Sequence, residues 1–356
     1  MDDEKKYKCW IIITLIQTII ALGLFATITI YIDPLFHYHL PLESFAYPII
    51  DERYQNDGII RNFKYDSIII GTSMTENFKT SEADKIFNAN FIKVPFAGGR
   101  YKEINDNLER AYDTGKDIKY VIRCLDYSML VTDKDAVREG TDYPEYLYNN
   151  NLFDDVNYVL NKSILFDYTC NVFRNTAAGN TTTSFDAYAN WNAFREFGKE
   201  VVLNIYTLEE PVKIPQTLTE DEQKMVLENV RQNVTELVDE HPETKFYLFF
   251  PPYSICYWDA IKNRGQVDWR IDAEEIAIEE ILKHKNIELY SFCDNFELIC
   301  NLDNYSDQAH YGEWVNTWIL EWIHDNEYRL TGDNYQEYID TIREFYNTYD
   351  YSTLRE

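Results

Sequence analysis

Residues 65–74 read YDSIIIGTSM, a short β-branched run that stops at Gly71. Three consecutive isoleucines followed by a glycine predict a short strand that is buried in the core. Ser73 comes two residues after the glycine, at the turn from this strand to the next helix. A serine in such a turn can present its hydroxyl at the edge of a sheet. The stretch therefore predicts both a fold class and a candidate nucleophile.

Similar apolar runs recur along the chain and alternate with helical patterns. Further strands are predicted at 91–94, 119–125, 245–250 and 287–290, and helices at 80–87, 102–112, 274–284 and 314–323. Another helix is predicted after Thr219, which forms a capping box with Glu222. This alternation predicts an α/β domain with a central parallel sheet and helices on both faces. In such sheets, ligands bind beyond the carboxyl ends of the strands.

A long uncharged segment precedes this domain, from Cys9 to Ile32. It is about as long as the ~20 residues that cross a bilayer. No small-residue cleavage site follows it, so we predict a retained transmembrane helix rather than a cleaved signal peptide. Lys5, Lys6 and Lys8 precede the segment. The positive-inside rule therefore predicts a cytoplasmic N-terminus, with the main domain outside the cell.

The sequence predicts five consecutive regions with one insertion. They are a cytoplasmic tail (1–8), a transmembrane helix (9–32), a proline-containing connector (33–64), the α/β domain (65–325) and a polar, helical tail (326–356). Residues from about 127 to 215 interrupt the strand–helix alternation and are rich in Tyr, Asn and Asp. We interpret them as an insertion on the ligand side of the sheet. Two roles stay equally open for it: a lid that shapes the substrate site, and simple packing over the core.

Composition excludes several classes of partner. The formal net charge is −28, which repels phosphate backbones, so we predict no nucleic-acid partner. The six cysteines form neither a disulfide framework nor a zinc pattern, although a bridge between Cys293 and Cys300 stays open. The histidines also lack metal-ligand spacing. We therefore predict no metal site and no cofactor.

Two further motifs follow other predicted elements. The stretch AGGR (97–100) comes after the second strand, where Gly98 lets the backbone approach a ligand and can offer its N–H to an oxyanion. The stretch DQAHY (307–311) comes just before the last helix of the domain. Asp307 can there hold one imidazole nitrogen of His310 and leave the other as a general base.

The order of these motifs resembles that of the SGNH/GDSL hydrolase superfamily over about residues 65–325. More narrowly, GTSMTENF (71–78), DQAHY (307–311) and Asp33-Pro34 after the membrane segment resemble a membrane-anchored group in low-GC Gram-positive bacteria. That group is similar to proteins of D-alanyl transfer to teichoic acids and of polysaccharide O-acetylation. The resemblance implies a flavodoxin-like, three-layer SGNH fold.

The resemblance also implies roles for single residues. Ser73 would be the nucleophile, His310 the general base and then acid, and Asp307 the residue that orients His310. The backbone N–H groups of Ser73 and Gly98 would bind the oxyanion.

One position departs from the family pattern. The third block of the family usually offers an asparagine as a further oxyanion donor, but RCLDY (123–127) has Asp126 there. An ionised carboxylate only accepts hydrogen bonds and would repel an oxyanion. Three explanations stay open: Asp126 is held protonated, another group such as Asn77 replaces it, or the site is weakened. Asp126 can instead bond a backbone N–H or Arg100.

These features predict a serine esterase or O-acyltransferase that acts on short acyl esters of cell-surface glycans, or on an acylated small molecule. Water and a sugar hydroxyl are both open as acyl acceptors. The predicted partners are the glycan, the membrane and a membrane-bound O-acyltransferase. The alternatives are a catalytically weak or inactive SGNH-fold module for binding or assembly at the cell envelope, and a scaffold that uses the Tyr-rich insertion.

Overall fold

The computed structural model describes residues 3–138, 140, 143–206, 211–212 and 214–355. Residues 1–2 of the predicted cytoplasmic tail, residue 356 of the C-terminal tail, and 139, 141–142, 207–210 and 213 of the predicted insertion lie outside this description. The chain forms two compact units. The N-terminal unit is Met1–Phe63 with Asp142–Ser184, and the sheet unit is Lys64–Thr141 with Phe185–Glu356.

The described residues form strands in the sheet unit and α-helices in both units. The strands are β1 (Ser67–Gly71), β2 (Phe91–Pro95), β3 (Tyr120–Cys124), β4 (Lys245–Phe250), β5 (Ile287–Ser291) and β6 (Arg329–Leu330). The helices are α1 (Asp3–Ile32), α2 (Glu52–Asn62), α3 (Thr80–Phe87), α4 (Tyr101–Asp113), α5 (Val156–Val159), α6 (Cys170–Ala177), α7 (Lys199–Ile205), α8 (Glu220–Val230), α9 (Glu236–Glu240), α10 (Ile255–Asn263), α11 (Val267–Ile281), α12 (Phe296–Cys300), α13 (Glu313–Asp325) and α14 (Tyr335–Thr348).

The six strands form one sheet in the order β2-β1-β3-β4-β5-β6. The first five strands in this order are parallel, and β6 is antiparallel to β5. The predicted α/β class with a central sheet is therefore confirmed, but the sheet is mostly and not entirely parallel because β6 runs antiparallel to β5. Strand β6 escaped prediction because two residues leave no periodic pattern.

The centre of the sheet explains why residues 65–74 fold as they do. Ile68, Ile69 and Ile70 of β1 are all 0% exposed. Burying one such side chain stabilises the fold by about 1.5–3 kcal/mol. Strand β1 lies between β2 and β3, and Ile68 is aligned with Ile92 and Val121. The carboxyl ends of these three strands therefore lie side by side, and the loops after them are brought together.

Helix α1 is 30 residues long, and none of its most apolar window is buried in the protein. That window has a mean hydropathy of 2.4, and 30 residues of α-helix span about 45 Å. In length and composition, α1 can cross a membrane. The orientation of the helix stays a prediction.

The N-terminal unit joins residues that are distant in sequence. Asp33, directly after α1, is fully buried and accepts hydrogen bonds from the N–H of Tyr38 and the hydroxyl of Tyr158, both at 2.7 Å. Helix α2 lies within the predicted connector, and Asp51 caps it by accepting from the N–H of Tyr54. The prolines that argue against a helix in this region all precede α2. The middle of the predicted insertion thus belongs to the N-terminal unit.

The cysteines carry no disulfide. All six are free, and the bridge between Cys293 and Cys300 that the sequence left open is not formed. Cys124, Cys256 and Cys293 are buried thiols.

Glu274 of α11 makes the stability of the sheet unit depend on pH. It is fully buried, and it accepts hydrogen bonds from the hydroxyls of Tyr338 and Ser291. Burial raises the pKa of Glu274 from its usual 4.5 to about 7. The folded protein keeps this proton after the unfolded chain has lost it. The free energy of unfolding therefore falls as the pH rises from about 4.5 to about 7.

We expect Glu274→Gln to remove this loss, which amounts to about 2 kcal/mol between pH 5 and pH 7. Urea unfolding at pH 5 and at pH 7, followed by circular dichroism, measures it. The variant should show a smaller difference between the two pH values than the wild type. Glu321→Gln, on an exposed position of α13, is the control and should behave like the wild type. Equal pH dependence in the Glu274 variant and the wild type would contradict the prediction.

Candidate active site

The turn after β1 brings Ser73 to the carboxyl edge of the sheet. A Cβ on Gly71 would lie 2.7 Å from the Thr75 side chain and 2.8 Å from the Cβ of Cys124, so only glycine fits here. Thr72 caps a short helical turn, and its carbonyl accepts from the N–H of Thr75 at 2.9 Å. Ser73 is the first residue of this turn and is half-buried.

Ser73, His310 and Asp307 form one continuous hydrogen-bonded chain. Ser73 Oγ lies 2.9 Å from His310 Nε2. His310 Nδ1 lies 2.8 Å from Asp307 Oδ2 and 3.0 Å from Oδ1. With the proton on Nδ1 donated to Asp307, Nε2 is free to accept the Ser73 proton. The structure thus brings together the three residues that the sequence proposes as nucleophile, base and orienting acid.

Asp307 is held as a carboxylate. Burial alone would raise its pKa, but hydrogen bonds and charge attraction from His310, with the backbone N–H groups of His310 and Ala309, outweigh burial and lower the pKa to about 2. Its Oδ1 accepts from these two N–H groups at 2.8 and 2.9 Å. A carboxylate that stays ionised stabilises a positively charged His310 whenever that imidazole takes a proton.

The loop that carries Asp307 and His310 is braced at both ends. The N–H of Ser306 donates to the His310 carbonyl at 2.9 Å, and the N–H of Gly312 donates to the Asn304 carbonyl at 2.9 Å. The hydroxyl of Tyr305 donates to the Pro252 carbonyl at 2.8 Å. These bonds fix the imidazole before any ligand arrives.

In the described part of the chain, three hydrogen-bond donors on the loops after β1 and β2 have no acceptor. Among the described residues, nothing accepts from the N–H of Ser73 or of Gly98. Gly98 has φ 60°, the left-handed region that favours glycine. The third donor is the side-chain NH₂ of Asn77, which is 2% exposed and has no described partner. A buried donor such as the Asn77 amide normally finds an acceptor. Together with the half-buried N–H groups of Ser73 and Gly98, it is a candidate to meet the oxygen of a ligand.

Asp126 is occupied as an acceptor. Its Oδ1 takes hydrogen bonds from the N–H of Ser128 at 3.0 Å and from the Ser128 hydroxyl at 2.5 Å, and its Oδ2 takes one from the Thr72 hydroxyl at 3.3 Å. The guanidinium of Arg100 instead contacts the sulfur of Met129. Of the explanations left open by the sequence, the geometry matches the bond to a backbone N–H. Asp126 therefore caps the turn after β3 and accepts a hydrogen bond from the turn that carries Ser73.

Two further residues, Trp191 and Arg195, contact the triad and were not predicted from the sequence. The guanidinium of Arg195 lies 3.0 Å from Asp307 Oδ2 and 4.5 Å from the centre of the Trp191 ring. The Trp191 ring meets the His310 ring edge-on, with centroids 5.5 Å apart. The backbone N–H of Trp191 donates to Asn77 Oδ1 at 3.1 Å. Their only sequence signal was their position in the predicted insertion, which was expected on the ligand side of the sheet.

This arrangement suits acyl transfer to and from a hydroxyl. It combines a serine, a base whose other ring nitrogen faces an orienting carboxylate, and donors that have no acceptor among the described residues. No group of His, Cys, Asp or Glu among the described residues is arranged to hold a metal ion.

No family profile and no curated protein matches this chain. Among solved structures, it is similar to a protein from Streptococcus pneumonia that is described provisionally as a platelet activating factor. The TM-score is 0.38 with 10% identity, over 77% of this chain and 90% of the other.

Proposed function

We propose that this protein is a membrane-anchored SGNH-type serine esterase or O-acyltransferase that acts on short acyl esters of cell-surface glycans. The observation that carries the proposal is the contact of Ser73 Oγ with His310 Nε2 at 2.9 Å, with Asp307 on the other imidazole nitrogen. The strand order β2-β1-β3-β4-β5 supports a flavodoxin-like SGNH fold, because it is the order of that class.

In the proposed reaction, the Ser73 hydroxyl attacks the ester carbonyl while His310 Nε2 takes its proton. The N–H groups of Ser73 and Gly98, with the amide of Asn77, stabilise the negative oxygen of the tetrahedral intermediate. The alcohol leaves with the proton from His310, and the acyl group stays on Ser73. His310 then deprotonates water or a sugar hydroxyl, which takes the acyl group and restores the serine.

Helix α1 supports a location at the membrane. An apolar helix of 30 residues would hold the sheet unit at the membrane, and Lys5, Lys6 and Lys8 favour a cytoplasmic N-terminus. The catalytic unit would then face the envelope, where a membrane-bound O-acyltransferase could supply acyl groups.

A second candidate is an inactive binding or assembly module on the same fold. It is favoured by Asp126, which stands where the family usually has an asparagine donor and which is committed as an acceptor. The two candidates differ in whether Ser73 is nucleophilic.

Covalent labelling with a fluorophosphonate distinguishes them. Ser73 Oγ would displace fluoride from phosphorus and retain the probe, so peptide mass spectrometry should find one labelled site, at Ser73. Ser73→Ala should not be labelled, and Ser128→Ala, which removes a nearby hydroxyl that bonds Asp126, should still be labelled. Absence of labelling in a wild-type protein with an intact circular dichroism spectrum would favour the inactive module.

A further inference from the structure

A second concave surface lies in the sheet unit, and the proposed reaction does not use it. We call it the α12–α13 groove. Its volume is about 450 Å³, within the range of sites that bind small ligands. It is lined by three asparagines, three aromatic residues, one glutamate and one leucine: Asn295, Asn301, Asn304, Trp318, Trp322, Tyr328, Glu297 and Leu298.

The aromatic side of the groove is built from rings in contact with one another and is partly open to solvent. Trp318 and Trp322 are one helical turn apart on α13, with ring centroids at 6.2 Å, and Trp318 is 36% exposed. Tyr328 meets Trp322 edge-on at 5.3 Å. The buried ring of Phe292 supports both Trp322 and Tyr328 from behind, at 5.3 and 5.7 Å. Tyr328 also has φ 58°, a costly conformation for a bulky residue that the fold maintains.

The polar side of the groove offers oriented donors. The side-chain oxygens of Asn295 and Asn301 accept from the N–H groups of Leu298 and Asp303 at 3.2 and 3.1 Å. The side-chain oxygen of Asn304 accepts from the indole N–H of Trp314 at 3.0 Å. These bonds fix the three amides, whose NH₂ groups have no acceptor among the described residues.

The charge of the lining restricts the ligand. Glu297 is exposed, and its carboxylate has no partner in the described part of the chain. No lysine or arginine lines the groove. A phosphate or carboxylate would therefore meet a negative charge without a counter-charge. A purely apolar ligand would instead cover three amides and a carboxylate without replacing their hydrogen bonds to water.

We infer that the α12–α13 groove binds a neutral pyranose oligosaccharide. The C–H face of a pyranose ring is weakly positive and stacks on the negative face of an indole. Its hydroxyls can accept from the amide NH₂ groups and donate to Glu297. An oligosaccharide is thus the neutral ligand that satisfies both sides of the groove.

The groove adjoins the loop that carries the catalytic base. Asn304, on the groove, accepts from the N–H of Gly312, and Asp307 and His310 lie between these two residues. The groove would hold a glycan while one of its esters is processed, a role that rests on the proposed function. Binding itself does not depend on that function.

The test measures binding by the full-length protein in nanodiscs, which avoids detergents with sugar head groups. Isothermal titration calorimetry uses two neutral probes, the β-1,4-linked tetramers of glucose and of N-acetylglucosamine. We expect saturable binding of at least one tetramer. Trp318→Ala should weaken that binding about tenfold or more through loss of a stacking face. Glu297→Gln should weaken it less, because the amide oxygen still accepts.

The control is Phe153→Ala, which removes an aromatic side chain that is 92% exposed in the N-terminal unit. It should bind the tetramer like the wild type. The inference is overturned if neither tetramer binds, or if Trp318→Ala binds as tightly as the wild type. Measured in a Ser73→Ala background, binding persists even where the catalytic proposal fails, so the two proposals can fail separately.

Discussion

Replacing Asp307 by asparagine is expected to lower the rate of Ser73 acylation by about three to four orders of magnitude. The carboxylate accepts from His310 Nδ1 at 2.8 Å and therefore fixes the tautomer in which Nε2 is the base. An asparagine can present its NH₂ group to Nδ1, which favours the opposite tautomer and removes the base from Ser73. It also no longer stabilises the positively charged imidazole. Stopped-flow labelling by a fluorophosphonate and hydrolysis of p-nitrophenyl acetate both measure the rate.

Two variants make this test specific. Asp325→Asn alters another aspartate that bonds a histidine, since Asp325 Oδ1 lies 2.8 Å from His324 Nδ1 on the surface of α13. It should leave the rate unchanged. Arg195→Gln removes the other side chain bonded to Asp307 but keeps the contact with His310, so its effect should be much smaller than that of Asp307→Asn. A wild-type rate in Asp307→Asn would show that Asp307 does not orient the base.

The sheet was predictable because each of its longer strands can be recognised from its own short stretch of sequence. Each of β1 to β5 is a short, mostly apolar run that ends at or near a glycine, a proline or a polar turn. Burial of almost every position leaves little alternation that could be misinterpreted. The order of the strands then placed the loops after β1 and β2 at one edge. The positions of Ser73 and Gly98 therefore followed from local patterns and topology together.

Trp191 and Arg195 could not be predicted because their roles depend on contacts across more than a hundred residues of chain. Neither residue lies in a periodic segment, and both follow a stretch that belongs to the N-terminal unit. The role of Asp126 was open for the same reason. An aspartate that is ionised cannot donate a hydrogen bond, and this much follows from the sequence. That Asp126 serves as a cap depends on the positions of Ser128 and Thr72, which the sequence does not give.

Asn77→Ala is expected to lower the rate of ester hydrolysis by about 10²–10³-fold. The carboxylate of Asp126 cannot donate to an oxyanion while it is ionised, and its oxygens are occupied as acceptors. The NH₂ group of Asn77 is buried with no partner among the described residues, and its oxygen accepts from the backbone N–H of Trp191, whose ring contacts His310. A donor fixed in this way costs no reorganisation when negative charge develops on the substrate oxygen. Steady-state hydrolysis of p-nitrophenyl acetate measures the loss.

Asn77→Ala alone does not show whether Asn77 donates to the oxyanion or only positions Trp191. Asn77→Asp distinguishes these two roles. The aspartate keeps an oxygen to accept from Trp191, but it has no NH₂ group and adds a negative charge. If Asn77 binds the oxyanion, this variant loses at least as much activity as Asn77→Ala. If Asn77 only positions Trp191, Asn77→Asp keeps its activity while Asn77→Ala loses it, and the oxyanion role is wrong. Asn107→Ala, at a fully buried asparagine of α4 whose amide also lacks a described partner, controls for the loss of a buried amide and should keep the wild-type rate.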